Sequence, residues 1–180
     1  MKKLLFMVFV ISIVSCKKVD MHPVVIIETN MGTIELTLDR EKAPISVENF
    51  LSYVEESFYD STIFHRVIKG FMIQGGGFDI DLKSKTSHDP IKNESGNGLT
   101  NKRGSIAMAR SNDPNSATCQ FYINQKDNFF LDKNQYAVFG EVTEGLDVVD
   151  NIADVQIMSK GPTFATIPVK PVVIKSVGIK

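Results

Sequence analysis

The sequence lacks an excess of charge of either sign. Its 180 residues include 20 Lys and Arg against 21 Asp and Glu, a formal net charge of −1, and the charges are scattered evenly along the chain. A nucleic-acid-binding surface needs a basic face or stripe that neutralises phosphate groups. We therefore expect no nucleic-acid partner.

Sequence patterns for several kinds of chemistry are also absent. The chain has no order of Ser, His and Asp or of Cys and His that would define a hydrolase, and no paired spacing for a metal. The glycines at 75–77 are not followed by Lys and Ser or Thr, so they predict a tight turn or a β-bulge rather than a phosphate-binding loop. Four potential ligand residues have a spacing that matches no cation-binding site, and we expect them in a solvated loop: Asp79, Asp81, His88 and Asp89. We therefore expect no metal and no cofactor.

The N-terminal residues differ in composition from the rest. Lys2 and Lys3 precede an apolar stretch over residues 4–14, which is the pattern of a secretory signal and is too short to span a bilayer as a helix. The stretch ends in Ile-Val-Ser-Cys, which resembles the lipobox of bacterial lipoproteins. That resemblance implies a signal peptide at 1–15 and a lipidated Cys16, held on the membrane by more than one acyl chain. A plain cleaved signal peptide and an uncleaved anchor are the alternatives.

Lipidation of Cys16 would leave Cys119 as the single thiol and would exclude an intrachain disulfide. Cys119 lies in an apolar strand pattern with no base at a useful spacing, so we expect a buried small hydrophobic residue. Residues 16–23 would form the lipidated cysteine and a short linker that reaches at most about 25 Å. The domain would then work close to a lipid surface of the bacterial cell envelope, facing the periplasm or the outside.

The remaining residues, 24–180, are enough for one compact domain with a single hydrophobic core. Short apolar runs bounded by Gly, Asn, Asp or Pro are typical of strands. They predict about eight strands, at 24–29, 33–38, 62–67, 71–74, 104–109, 120–124, 137–142 and 172–179. Apolar residues at helical spacing predict one helix that opens at Pro44 and includes Val54, and a second over Leu146–Ala153.

Together these elements predict a mainly β fold, a closed eight-stranded antiparallel β-barrel capped by two α-helices. Closure is favoured because it removes the unpaired edges of an open sheet. Residues 78–100 lack periodicity and are rich in turn formers. We expect a long surface loop there, and long ordered loops are commonly functional.

The segment over residues 64–76 reads FHRVIKGFMIQGG and resembles the active-site segment of the cyclophilins. Further matches follow in the same order: GSIAMAR at 104–110, SATCQFYIN at 116–124, FLD at 130–132 and YAVFGEV at 136–142. The resemblance covers about residues 24–179 and is nearest to the compact bacterial members. It implies a cyclophilin-type peptidyl-prolyl cis/trans isomerase domain.

The chemistry of prolyl isomerisation explains why such a site needs no nucleophile. Rotation about the prolyl bond breaks amide conjugation, which is a barrier near 20 kcal/mol. In the twisted state the proline nitrogen regains a lone pair, and a fixed cationic donor stabilises that state more than either planar form. The resemblance gives this role to Arg66, with Gln74 orienting Arg66 and the substrate carbonyl, and Phe71 beside them.

The same resemblance assigns the binding residues. They are Phe71, Met72, Tyr122 and Leu131 for the apolar proline pocket, and Ala109, Arg110, Ser111 and Gln120 for the peptide backbone. Without the motif, the pocket residues would be interpreted as ordinary barrel core and Arg66 as a surface salt-bridge partner. His65 is expected to be a packed residue rather than a proton-transfer group.

Three positions depart from the family pattern. Phe130 stands where drug-sensitive eukaryotic members carry tryptophan, so the pocket rim lacks an indole N–H donor and we expect weak cyclosporin binding. Tyr136 takes the place of a histidine found in many members, and Tyr122 that of a phenylalanine. Both keep an aromatic wall and therefore bear on substrate preference more than on activity.

The sequence thus predicts a monomeric prolyl isomerase that assists the folding of exported proteins. Its partners would be proline-containing polypeptides and, through Cys16, the membrane. The alternative is a membrane-tethered module that binds proline-containing segments, with incidental catalysis. The Arg66 and Gln74 pair favours the enzyme because binding alone does not need it.

Overall fold

The computed structural model describes residues 19–180, so the predicted signal peptide and Cys16 lie outside the described part. The strands are β1 Val24–Thr29, β2 Gly32–Leu38, β3 Thr62–Ile68, β4 Met72–Asp79, β5 Ser105–Met108, β6 Phe121–Asn124, β7 Val138–Glu144, β8 Ile157–Met158, β9 Ile167–Pro168 and β10 Ile174–Ile179. The helices are α1 Pro44–Glu55, α2 Phe130–Lys133 and α3 Leu146–Ala153. Within residues 19–180, no helix combines the length and the apolar character needed to cross a bilayer.

Eight of these strands form one antiparallel sheet in the order β10-β1-β2-β7-β5-β6-β4-β3. Its two outer strands, β3 and β10, approach each other and nearly close the sheet. Ile63 and Val173 form an isolated bridge, and the Phe64 N–H donates to the Val172 carbonyl at 2.9 Å. The predicted eight-stranded antiparallel barrel, with α1 and α3 as its two main helices, is confirmed.

The core of the barrel follows from the alternation of apolar side chains along the strands. In the first hairpin the inward-facing side chains are fully buried: Val25, Ile27, Ile34, Leu36 and Leu38. Helix α1 adds its apolar face to this core. The ring of Phe50 packs at centroid distances of 5.1, 5.5 and 5.4 Å against three rings, those of Tyr59, Phe121 and Phe139. Burial of each such side chain contributes about 1.5–3 kcal/mol to the stability of the fold, relative to leaving the side chain exposed.

Several boundaries differ from the prediction. Strand β4 continues to Asp79 instead of ending at Gln74, because the glycines at 75–77 form a β-bulge within the strand, one of the two expected alternatives. Gly76 has a φ of +84°, which favours glycine. Helix α2 and the two-residue strands β8 and β9 were not predicted, since elements this short show no period.

The long loop over residues 80–100 supports helix α1. The helix has no side-chain cap of its own at Ala43. Instead, the Glu94 carboxylate accepts hydrogen bonds from the Ile45 N–H at 2.9 Å and from both the N–H and the hydroxyl of Ser46 at 2.7 Å. An anion at this end also interacts favourably with the helix dipole. Part of the loop that we expected to be functional therefore stabilises helix α1.

Replacement of Glu94 by alanine is expected to lower the free energy of unfolding by about 2 kcal/mol, because it removes a charged cap from α1. For a domain of this size that corresponds to a fall in Tm of about 6 °C, measurable by thermal unfolding. Glu55→Ala is the matched control, since Glu55 is exposed at the other end of the same helix. Equal melting temperatures for the two variants would contradict the capping role.

Candidate active site

Arg66 and Gln74 face each other across the β3–β4 hairpin, where they are register partners. The turn between the strands is closed by the Phe71 N–H, which donates to the Ile68 carbonyl at 3.0 Å. Gly70, the third residue of this turn, has a φ of +74°, a conformation that glycine adopts without steric cost. The hairpin thereby places both polar side chains at the same edge of the barrel.

The guanidinium of Arg66 is half-buried and is held by its neighbours. Nη1 donates to Gln74 Oε1 at 3.2 Å and lies 3.8 Å from Met72 Sδ, and Cζ lies 5.9 Å from the centroid of the Phe71 ring. Burial lowers the pKa of Arg66, but a guanidinium keeps its charge at neutral pH. The ion pairs formed among residues 19–180 do not include Arg66. Its charge is therefore available to a bound molecule.

Beside Arg66 lies a cavity of about 160 Å³. It is lined by Arg66, Phe71, Met72, Gln74, Ala109, Arg110, Tyr122, Leu131 and Tyr136. Pockets for drug-sized ligands measure about 300–1,000 Å³, so this cavity suits a single small ring. All nine lining residues are among the predicted site residues.

The apolar wall of the cavity is distinct from the main core. Met72, Tyr122 and Leu131 are buried, and they group with Ala109 and a few neighbours in a second, smaller hydrophobic cluster. Phe71 packs on the border of this cluster. These side chains therefore line an opening in the barrel wall rather than filling its interior.

The structure places three predicted site residues outside the cavity. Ser111 and Gln120 line a neighbouring cavity of about 310 Å³, which shares Gln74, Ala109 and Arg110 with the first. Phe130 is 53% exposed and stacks on Phe71 at a centroid distance of 5.8 Å. It lies outside the lining of the first cavity.

Arg110 is a second cation at the opening, but both of its terminal nitrogens donate within the protein, and its buried Nε has no partner among the described residues. Its guanidinium donates to the carbonyls of Ser111, at 2.8 Å, and of Asn134, and its Cζ lies 4.3 Å from the Tyr136 ring centroid. Tyr136 in turn contacts Tyr122 edge to face at 6.0 Å. Arg110 thus fixes an aromatic wall, whereas Arg66 faces the cavity with most of its donors unused by the described residues.

Sequence reasoning missed a buried asparagine behind the cavity wall. Asn101 is fully buried, and its Oδ1 accepts from the Tyr122 hydroxyl at 2.7 Å and from Asn124 Nδ2 at 3.1 Å. Its Nδ2 donates to Asp132 Oδ1 at 2.7 Å and to the Tyr136 carbonyl at 3.3 Å. The amide therefore uses both donors and both acceptor positions. Burial raises the pKa of Tyr122, which keeps its hydroxyl a neutral donor.

The network extends through two more buried asparagines. Asn128 Nδ2 donates to Asn124 Oδ1 at 2.7 Å and to the Phe71 carbonyl at 2.8 Å, and Asn124 also donates to Ser105 Oγ at 2.9 Å. One signal for this network is present in the sequence. Asn124 lies inside an apolar strand pattern, and a buried amide must be hydrogen-bonded, so the pattern indicates polar partners nearby. The partners of Asn101 are 21 to 35 residues away along the chain and could not be read from it.

His65 is adjacent to Arg66 but belongs to another environment. It is only 3% exposed, and its ring packs edge to face on Phe78, at 4.7 Å, and on Phe164, at 6.4 Å. Burial lowers the pKa of His65 to about 4. The ring is neutral at pH 7 and does not line the cavity.

The low pKa of His65 predicts a loss of stability in acid. An unfolded chain binds this proton near the ordinary pKa of about 6.5, whereas the folded chain binds it near 4. The stabilisation is therefore complete above pH 6.5 and is lost as the pH falls towards 4, with a maximum of about 3 kcal/mol. Denaturant unfolding across this pH range should show that His65→Phe loses less stability in acid than the wild type does. His22→Gln, at an exposed histidine, should behave like the wild type; equal acid losses for all three proteins would refute the assignment.

The barrel and its arginine-edged cavity define a class, the cyclophilin-like domains, and comparison with known proteins agrees. A crystal structure of a cyclophilin type peptidyl-prolyl cis-trans isomerase from Cryptosporidium parvum, in the presence of the dipeptide Ala-Pro, superposes with a TM-score of 0.75 at 28% identity. The match covers 87% of this chain and 98% of that one.

The family model described as "Cyclophilin type peptidyl-prolyl cis-trans isomerase/CLD" matches residues 24–179. Peptidyl-prolyl cis-trans isomerase A of Dickeya dadantii is 54% identical over 159 residues, which cover 86% of this chain and 83% of that protein. Peptidyl-prolyl cis-trans isomerase B of Escherichia coli is 49% identical over 158 residues, which cover 84% of this chain and 96% of that protein. The chain therefore belongs to the cyclophilin family, and it is a peptidyl-prolyl cis-trans isomerase.

Proposed function

We propose that this isomerase lowers the rotational barrier by directing the charge of Arg66 at the nitrogen of a twisted prolyl amide. The planar amide nitrogen is a poor acceptor because its lone pair is delocalised, whereas the twisted nitrogen carries a localised lone pair. A cationic donor beside it therefore binds the transition state more tightly than either ground state. No proton transfer and no covalent intermediate is needed.

The observation that carries the proposal is a half-buried cation with no carboxylate partner among the described residues. Arg66 is held by Gln74 Oε1 at 3.2 Å, and this contact uses only one nitrogen of the fork. The adjoining cavity is apolar on the side formed by Phe71, Met72 and Leu131. A proline ring placed there would be desolvated, which strengthens the electrostatic interaction with Arg66.

We also propose that proline-containing polypeptides are the substrates. The Cryptosporidium parvum relative was crystallised in the presence of the dipeptide Ala-Pro. The second cavity, lined by Ala109, Ser111 and Gln120 among others, continues from the first and gives room for the residues that precede proline. This continuity favours an extended peptide over a free amino acid.

A prolyl isomerisation assay on residues 21–180, beside Arg66→Ala, separates catalysis from the alternative of a binding module. A binding module would hold a proline peptide equally well in both proteins and show no rate that depends on Arg66. The enzyme requires a rate above background that is lost in the variant. Equal rates in the two proteins would remove Arg66 from the mechanism.

We further propose that the enzyme is anchored through a lipid on Cys16 and acts on exported proteins. The Arg40 N–H donates to the Met21 carbonyl at 3.0 Å, and its guanidinium donates to the Asp20 carbonyl, so the chain is fastened to the barrel from Asp20 onward. Three residues between Cys16 and Asp20 reach no more than about 14 Å. This short reach supports a site close to the lipid. The mass of the membrane-extracted protein, and its release by Cys16→Ser, would test the anchor.

A further inference from the structure

Gln120 connects the second cavity to Arg66 through one intervening side chain. Its Oε1 accepts a hydrogen bond from Gln74 Nε2 at 2.9 Å, and Gln74 Oε1 accepts from Arg66 Nη1 at 3.2 Å. An amide has one donor end and one acceptor end. By engaging the donor end, Gln120 determines that the acceptor end of Gln74 faces Arg66.

The side chain of Gln120 can lie there only because residue 77 has no side chain. A Cβ built on Gly77 would lie 2.6 Å from Cγ, 2.7 Å from Nε2 and 2.8 Å from Cδ of Gln120. These distances are too short for real contacts. The backbone of Gly77 does not itself require glycine, because its φ is outside the positive region, unlike that of Gly76 at +84°. The space taken by Gln120 is therefore the reason that a glycine is needed.

Other glycines of the barrel differ from Gly77 in what surrounds them. A Cβ on Gly140 would lie 2.7 Å from the Thr37 carbonyl oxygen, so substitution there would collide with backbone and strain the fold. At Gly77 the three nearest atoms all belong to one glutamine side chain, which can rotate away. The backbone of Gln120 stays in place, since its carbonyl accepts from the Ala109 N–H at 2.9 Å. A side chain at 77 should thus displace Gln120 without unfolding the barrel.

We propose that Gly77 is a positioning residue for the isomerase reaction. Its missing side chain lets Gln120 lie against β4, Gln120 orients Gln74, and Gln74 holds Arg66 towards the substrate. The proposal rests on the role proposed above for Arg66. It extends the catalytic assembly to a residue that touches neither the substrate nor Arg66.

The test is a double-mutant cycle in the full-length chain. Gly77→Ala and Gln120→Ala should each lower kcat/KM about five- to tenfold, the loss expected for one hydrogen bond. The double variant should be no worse than Gln120→Ala alone, because the collision is absent once Gln120 is shortened. Gly178→Ala is the matched control, since a Cβ there meets nothing within 4 Å, and it should keep the wild-type rate.

Two further measurements separate the outcomes. The NMR signals of the Gln74 side-chain amide should shift in Gly77→Ala and Gln120→Ala but not in Gly178→Ala. If Gly77→Ala melts at a much lower temperature, Gln120→Ala in the same chain must restore the Tm. A wild-type rate for Gly77→Ala, or multiplied losses in the double variant, would overturn the proposal. An active Arg66→Ala would instead overturn the mechanism on which it rests.

Discussion

Replacement of Arg66 by alanine is expected to lower kcat/KM for a prolyl peptide by about 10²–10³-fold. The magnitude is that of a preorganised donor aimed at charge that develops in the transition state. Because Arg66 has no ion-pair partner among the described residues, its removal leaves no buried carboxylate behind. The thermal stability of the variant should therefore stay near that of the wild type, and the loss is measured in the isomerisation assay.

Two further arginine variants sharpen this prediction. Arg66→Lys keeps the charge but lacks the planar fork, so it cannot hold Gln74 and a substrate in the same geometry, and an intermediate loss is expected. Arg40→Ala is the matched control, because Arg40 contacts Glu48 and the chain near Asp20 rather than the cavity. If Arg66→Ala turned over the peptide as fast as Arg40→Ala, the electrostatic mechanism would be wrong.

The binding of proline peptides should respond less than the rate. The cavity wall formed by Met72, Tyr122 and Leu131 does not depend on the guanidinium, so the dissociation constant for a ground-state peptide should change by only a few-fold. A large effect on rate with a small effect on binding is the property that distinguishes catalysis from capture. It also excludes general damage to the cavity as the cause.

The barrel could be predicted from the sequence where each element carries its own period. Strand β2 alternates apolar Ile34, Leu36 and Leu38 with Glu and Thr, and α1 repeats its apolar residues every three or four positions, so the sequence predicts both elements. The predicted end of strand β4 is too early because glycines such as Gly75, Gly76 and Gly77 usually form turns. In the fold they form a bulge whose space is filled by Tyr59, Phe121 and Gln120, residues distant in sequence.

The cavity residues could not have been assigned from pattern alone. Met72 and Tyr122 are as buried as ordinary core residues, and only the resemblance to the cyclophilins indicated an opening beside them. The structure differs from the sequence prediction where a residue contacts others that lie far away along the chain. Phe130 stacks on Phe71 from helix α2, a contact between residues far apart along the chain, and Asn101 lies in a loop with no period at all.

Replacement of Asn101 by alanine is expected to lower the free energy of unfolding by about 3–4 kcal/mol. The variant would leave the Tyr122 hydroxyl, the Asn124 amide and part of the Asp132 carboxylate without their partner, and each unsatisfied buried group costs about 1–3 kcal/mol. Thermal unfolding should report a fall in Tm of about 10 °C. Asn151→Ala, at an exposed position of helix α3, should stay within about 0.5 kcal/mol of the wild type.

The same substitution should also weaken catalysis at temperatures where the variant is folded. Asn101 joins Tyr122 on β6 to Asp132 on α2, the helix that carries Leu131, so its loss frees two walls of the cavity to move apart. Arg66 is untouched, so the activity should fall about tenfold through poorer substrate binding, which is less than for Arg66→Ala. Tyr122→Phe isolates one contact and should cost only about 1 kcal/mol, because Asn124 still donates to Asn101. A stable and fully active Asn101→Ala would show that the cavity walls are held by apolar packing alone.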